Sequence, residues 1–303
     1  MVNPKATTTT EVTRDVLISA LADKFHLEVV TTTHRGHAFE LGEQARDEHM
    51  DCILTLGGDG TVHEVVNGLL ANGPEPDLPV LGTVPGGSAN VFARSLGYPQ
   101  DAVESTGLML RAMREGSTRT IGLGQVDDRY FTFTAGLGID AEIMNRMEQL
   151  RADGKAATPT RYLATTLRQF FTGTDRKHPP LTLHRIGEDP VEGVFLAIIQ
   201  NTSPWTYLGA RAVNPSPKAS FDTGLDLWAT QSMSVPRSLR YSSRMLLNRD
   251  KGAPKGIVAW HDVDEFHVTA SRPSPMQVDG EVVGDVTDVL FRSVPEALRV
   301  YVP

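Results

Sequence analysis

The residues best equipped for chemistry lie in Gly57-Gly58-Asp59-Gly60-Thr61. Glycine lets a backbone bend sharply and lets a ligand come close to the amides. A helix start directly after such a turn adds N–H groups without intrahelical partners and the positive end of the helix dipole, a combination that holds an anion such as phosphate. Asp59 alone would repel that anion, so its expected role runs through Mg2+, a hard cation that takes carboxylate and phosphate oxygens. The turn is neither a P-loop, because no Gly-Lys-Ser/Thr follows, nor a Gly-x-Gly-x-x-Gly turn. Taken without its surroundings it is also an ordinary tight turn, which uses the same residues. A second carboxylate pair, Asp279 and Glu281, flanks Gly280; by itself Asp279-Gly280 between apolar residues reads as a hairpin turn.

The flanking elements give the first turn its context. Cys52 to Leu56 is a short apolar run suited to a parallel strand covered on both faces. Val62, Val65, Val66, Leu69 and Leu70 fall on one face of a helix. Leu78 to Val84 repeats the strand, Pro85-Gly86-Gly87-Ser88-Ala89-Asn90 the small-residue turn, and Val91 to Leu96 the helix, which Gly97 stops. Two such turns from neighbouring strands lie at the C-terminal edge of one sheet, the ligand edge of open α/β folds. Asp101 caps a helix running to Glu115. Upstream, Val16, Leu17, Leu21 and Phe25 are spaced for a helix over Arg14 to Phe25, and Leu27 to Thr31 reads as a strand. The segment Thr33-His34-Arg35-Gly36-His37-Ala38 leads into a helix through about Glu48. As a helix N-cap, Thr33 is accounted for. His34 and His37, without a third ligand, do not make a zinc site and read as solvated or phosphate-side.

From Thr118 strands dominate. Ile121 to Val126 and Arg129 to Thr134 form a hairpin across Asp127-Asp128. Ile143, Met144, Met147 and Leu150 give one amphipathic helix, and Tyr162, Leu163, Leu167, Phe170 and Phe171 a second. Such faces serve core packing, an acyl-chain cleft or a membrane surface. Leu181 to Ile186 and Val194 to Gln200 read as strands. Pro236 to Leu247 is a basic helix carrying Arg237, Arg240 and Arg244, a solvated face or a contact for anionic lipid.

The chain of 303 residues has room for two cores, and its net charge of −8 argues against a general nucleic-acid binder. One cysteine, Cys52, rules out an internal disulfide and sits in an apolar strand. No apolar stretch approaches the roughly 20 residues of a membrane span, and the polar, threonine-rich start lacks the pattern of a signal peptide, so a cytoplasmic location is expected.

Gly57-Gly58-Asp59-Gly60-Thr61 followed by His63-Glu64-Val65-Val66-Asn67-Gly68 resembles the diacylglycerol kinase catalytic domain, a family related to sphingosine kinases and, more distantly, NAD kinases. The resemblance implies an NAD-kinase-like α/β nucleotide domain followed by a β-sandwich domain, with the C-terminal tail returning to the first. The expected limits are 1–117 plus 288–303 for the nucleotide domain and 118–287 for the lipid-acceptor domain, with the active site between them. It implies ATP and Mg2+, with nucleotide contacts at Asn3, Thr7, Thr33, Gly57, Gly58, Asp59, Gly60, Thr61, Val62, His63, Ser88 and Asn90. The strand that should precede Asn3-Pro4 is essentially absent, and Ala6-Thr7-Thr8 replaces the family's Ser-Gly. Ser220, Asp222, Thr223 and Leu225 align with a structural Mg2+ loop whose usual Asp-Gly-Leu is Thr223-Gly224-Leu225 here, the aspartate lost or displaced to Asp222. Asp279-Gly280-Glu281 matches the element carrying the catalytic base. Which carboxylate is the base cannot be read off; Glu281 is taken as base, with Asp279 as metal or hydroxyl orienter. The implied reaction is γ-phosphoryl transfer from ATP to a lipid hydroxyl, diacylglycerol first, by a peripheral protein visiting the inner membrane face, with a homodimer left open. Sphingoid bases, another lipid alcohol, NAD, or a catalytically inactive lipid-binding role are the alternatives.

Overall fold

The computed structural model describes residues 1–4, 6, 11–23, 25–138, 177–247 and 254–303. The amphipathic helices expected around Ile143–Leu150 and Tyr162–Phe171 lie outside these residues, as does Thr7. The chain divides into two compact units, Met1–Leu123 with Pro295–Pro303, and Gly124–Val294. Both changes of unit fall a few residues beyond the expected 117 and 287.

The first unit contains α1 (Glu11–Ala22), α2 (His37–Asp47), β1 (Cys52–Gly57), α3 (Asp59–Leu69), β2 (Val80–Pro85), α4 (Val91–Ser95), α5 (Ala102–Glu115) and the start of β3 (Thr118–Val126). β1 and β2 pair in parallel from Cys52↔Val80 to Gly57↔Pro85, so the two glycine-rich turns leave adjacent strand ends. Every residue of β2 is buried, as a strand covered on both faces requires. Val62, Val65, Val66 and Leu69 of α3 are buried. α3 meets α2 backbone to backbone: a Cβ on Gly68 would lie 2.1 Å from the Phe39 carbonyl oxygen, so only glycine permits this approach.

Among the described residues no strand precedes Asn3-Pro4, but the start of the chain still touches the sheet. Val2 makes parallel bridges to both Leu56 and Thr31. The Met1 carbonyl accepts from Leu56 N–H and the Val2 carbonyl from Thr32 N–H, so a single turn of extended chain does the work of a strand between two neighbours. Leu27 to Thr31, read as a strand, joins the sheet only at Thr31, which bridges Val2.

The second unit continues with the end of β3, then β4 (Arg129–Phe131), β5 (Thr134–Gly138), β6 (Leu181–His184), β7 (Val191–Val194), β8 (Leu196–Gln200), β9 (Thr206–Leu208), β10 (Arg211–Val213), β11 (Leu225–Thr230), α6 (Val235–Leu247), β12 (Ile257–Val263), β13 (Glu265–Val278) and β14 (Glu281–Tyr301), whose last residues return to the first unit. There Val300 pairs in parallel with Leu81. The Asp127-Asp128 turn joins β3 to β4 with Val126 opposite Arg129. The run from Arg129 to Thr134 breaks after Phe131, because Thr132 and Phe133 turn their N–H groups to a side chain rather than to a strand. Antiparallel pairing links β13 to β5, β5 to β8, β8 to β11 and β11 to β12. One core joins Phe131, Leu137, Ile199, Leu227, Phe266 and Phe291, with the last two rings stacked at 5.2 Å. On the other face Tyr241 of α6 meets Trp228 edge-on at 6.0 Å.

Candidate active site

In the first unit the ligand edge is built by small residues. α3 begins at Asp59, with extended Gly58 as cap residue and no side-chain cap. Its opening turn therefore has the polarity of an anion site. A Cβ on Gly87 would lie 2.7 Å from Gly58 Cα, so the two turns touch through backbone alone. Gly86 N–H donates to the Gly57 carbonyl at 2.8 Å, and Phe92 N–H donates to Asp59 Oδ1 at 3.1 Å. Asp59 thus sits in the first turn of α3 and ties it to the first turn of α4. Asn3 Nδ2 donates to Thr61 Oγ1 at 2.8 Å, which brings the start of the chain onto the same edge.

Several expected nucleotide contacts have other employment. Asn90 is 3% exposed; its Oδ1 accepts from Gly87 N–H at 2.8 Å and its Nδ2 donates to the Gly87 carbonyl at 2.7 Å. The amide closes its own turn, in the left-handed conformation (φ 49°) that asparagine tolerates, and does not reach outward. Val62 and His63 are 2% and 4% exposed, so any contact from these positions comes through backbone. Ser88 is exposed beside the turn, its carbonyl accepting from Gln100 Nε2 at 3.1 Å.

Thr33 does not cap α2. The helix starts at His37 behind Gly36 (φ 89°), with no cap from its own segment. Glu64 supplies the cap from α3: its Oε1 accepts from Gly36 N–H at 2.9 Å and its Oε2 from Ala38 N–H at 3.2 Å. The sequence cue was negative, since no Ser, Thr, Asp or Asn stands directly before His37. Two charge-assisted bonds at a helix start imply that Glu64→Ala lowers stability by about 1–3 kcal/mol, with Glu64→Gln in between, as read from urea midpoints. Equal midpoints for wild type and Glu64→Ala would rule this out.

In the second unit Asp279 and Gly280 both have positive φ (48° and 82°), the form of a two-residue hairpin turn between β13 and β14. Asp279 is 3% exposed. Its Oδ2 accepts from Thr132 N–H at 2.8 Å and Thr132 Oγ1 at 3.0 Å; its Oδ1 accepts from Phe133 N–H at 3.0 Å and Thr134 N–H at 3.2 Å. Asn201 Nδ2 donates to the Thr132 carbonyl at 3.0 Å on the other side of that segment. Four donors occupy the oxygens of Asp279, which thereby anchors the chain between β4 and β5. Glu281, one residue past the turn, is half-buried and opposite Val278.

The loop aligned with a structural metal site closes on itself. Ser220 Oγ accepts from Asp222 N–H at 3.3 Å, and Thr223 Oγ1 donates to the Ser220 carbonyl at 3.1 Å. Leu225 is in the core, and the nearby Asp262 carboxylate is taken by Gly224 N–H at 2.6 Å. Among the described residues no three His, Cys, Asp or Glu gather to hold a metal. Behind the loop, burial pushes the Asp226 carboxyl above the usual carboxylate range, opposed by the hydrogen bond to His261 Nδ1 at 2.7 Å. Burial also raises the Cys52 thiol, with Asp51 adding to it, which suits a core residue and not a nucleophile.

Parallel strands with paired glycine turns on their C-terminal edge, followed by a strand-rich unit, define an NAD-kinase-like α/β fold with a β-sandwich-like partner. Residues 1–126 match the model of the diacylglycerol kinase catalytic domain. The diacylglycerol kinase of Bacillus subtilis (strain 168) is 40% identical over 108 residues, covering 35% of this chain and 33% of its own. The matched segment is thus about a third of that relative's length. A crystal structure of a diacylglycerol kinase from Bacillus anthracis str. Sterne superposes with a TM-score of 0.71 at 19% identity, covering 100% of this chain and 95% of that one. An NAD kinase from Archaeoglobus fulgidus in complex with ATP gives a TM-score of 0.53 at 12% identity, covering 99% of this chain and 91% of its own. The two structural likenesses bear on the fold.

Proposed function

We propose that the chain transfers the γ-phosphoryl group of ATP to the hydroxyl of a lipid, diacylglycerol foremost, giving phosphatidic acid. The observation that carries this is the double turn: Gly57–Thr61 and Pro85–Asn90 touch at Gly58 and Gly87, with Asp59 between two helix starts, inside the segment that matches the catalytic domain. In the proposed reaction the opening turns of α3 and α4 hold the phosphates, and Asn3 and Thr61 line the same edge. Asp59 suits Mg2+, which takes one or two carboxylates plus substrate phosphates and keeps several waters. When bound, the ion would neutralise charge developing on the phosphate oxygens. Glu281 accepts the proton of the lipid hydroxyl as its oxygen forms a bond to the γ-phosphorus, while the bond from that phosphorus to the β–γ bridging oxygen breaks and ADP leaves. Asp279 does not touch the reacting atoms; it positions the turn that carries Glu281.

A lipid acceptor places the protein at the inner face of a membrane as a peripheral visitor. Among the described residues no helix is long and apolar enough to cross one. Incubation with γ-labelled ATP and a panel of diacylglycerol, sphingosine and NAD is expected to label the first as phosphatidic acid. Label in NAD alone would overturn the proposal.

A further inference from the structure

We propose that the imidazole rings of His34 and His37 form the platform on which the base of the nucleotide stacks, the outer face of His34 being the contact. This rests on the nucleotide reading of the Gly57–Thr61 turn. The two rings lie parallel, 5.0 Å apart between centroids and 6° between planes. Thr33 holds both: its Oγ1 is 2.9 Å from His34 Nδ1 and 3.2 Å from His37 Nδ1, and its N–H donates to His37 Nδ1 at 3.1 Å. Glu40 Oε1 is 3.4 Å from His34 Nε2, at the ring's edge, yet the His34 side chain stays 57% exposed. The result is a flat aromatic surface, held from one side and open on the other.

Its place on the sheet selects the ligand. Val2 bridges in parallel to Thr31 and to Leu56, so the chain entering Thr33 and the strand entering Gly57 run the same way, two strand positions apart. At ordinary strand spacing their ends are about 10 Å apart on one edge. A nucleoside triphosphate whose phosphates occupy the Gly57 turn reaches that distance with its ribose and base. Glu64 bonds Gly36 and Ala38 to α3, so the ring-bearing loop and the phosphate turn share one rigid support, which lowers the ordering cost of a ligand that touches both. A metal would be the other natural occupant of two histidines, but among the described residues no third His, Cys, Asp or Glu completes such a set.

Calorimetric titration of the full chain with ATP, CTP and inorganic tripolyphosphate, all with Mg2+, tests this. Tripolyphosphate reports the phosphate turn without a base. Wild type is expected to bind ATP about tenfold more tightly than tripolyphosphate, with CTP between them, because base stacking on an aromatic ring has that worth. His34→Ala should bring ATP to the tripolyphosphate level and leave tripolyphosphate unchanged; His34→Phe, which keeps a flat ring, should restore ATP. Unchanged ATP affinity in His34→Ala overturns the platform, and so does an equal loss for both ligands. A wild type that binds neither ligand overturns the nucleotide reading itself.

Discussion

Replacing Asp279 by alanine is expected to cost the second unit about 4 kcal/mol or more, because it leaves three buried N–H groups and a hydroxyl without their acceptor. Trp205, Trp228 and Trp260 all lie in that unit, so tryptophan fluorescence in a urea titration follows its unfolding directly. Asp279→Asn should recover only part of the loss, since its amide nitrogen faces donors. The expectation separates two roles that a carboxylate in this turn can have. A base or metal ligand kept open for chemistry is replaced by alanine at little cost in stability, and often with a gain. An anchor is not. Midpoints that agree within about 0.5 kcal/mol, the size of an ordinary surface substitution, would return Asp279 to the catalytic group.

The second large effect concerns the two carboxylates assigned to the reaction. Asp59→Asn and Glu281→Gln are each expected to slow labelled-lipid formation by about 100- to 10,000-fold, the range for lost electrostatic stabilisation or proton transfer. Both changes are nearly isosteric. Asparagine at 59 still offers an oxygen to Phe92 N–H, so the joint between α3 and α4 survives. Unfolding midpoints should therefore stay within about 1 kcal/mol of wild type while turnover collapses. If Glu281→Gln keeps full turnover, the base lies elsewhere. If Asp59→Asn does, the double turn is not the phosphate site.

What the sequence disclosed and what it hid follow one rule. β1, α3, β2, α4 and α5 announce themselves through periodicity and end signals carried within a few residues. Gly97 and Gly116, both at positive φ after helices, are the same kind of local signal. The placement of the two glycine turns at one sheet edge also needed only strand–turn–helix order. The Asp279 anchor and the Glu64 cap involve partners far along the chain. Asp279 and Thr132 are 147 residues apart, and nothing near Asp-Gly marks the aspartate as an acceptor of four bonds rather than as a spare carboxylate. Glu64 lies 28 residues from Gly36, so the cap of α2 could not be seen in the α2 segment. Asn90 shows the opposite case: its amide closes on the backbone of Gly87 only three residues away, which a family motif alone does not reveal. Val2 read as too short for a strand because strand length is judged along the chain, while its hydrogen bonds come from both neighbours.

Kinetic coupling between Asp59 and Glu281 is the most direct measure of whether one reaction uses both. Labelled-lipid formation by Asp59→Asn, Glu281→Gln and the double variant gives the answer without further structural information. If each carboxylate serves the same phosphoryl-transfer step, the double variant should be about as slow as the slower single one, because groups that act as a unit lose their effect together. Fully multiplied losses, with each substitution as damaging in the presence of the other as alone, would contradict it.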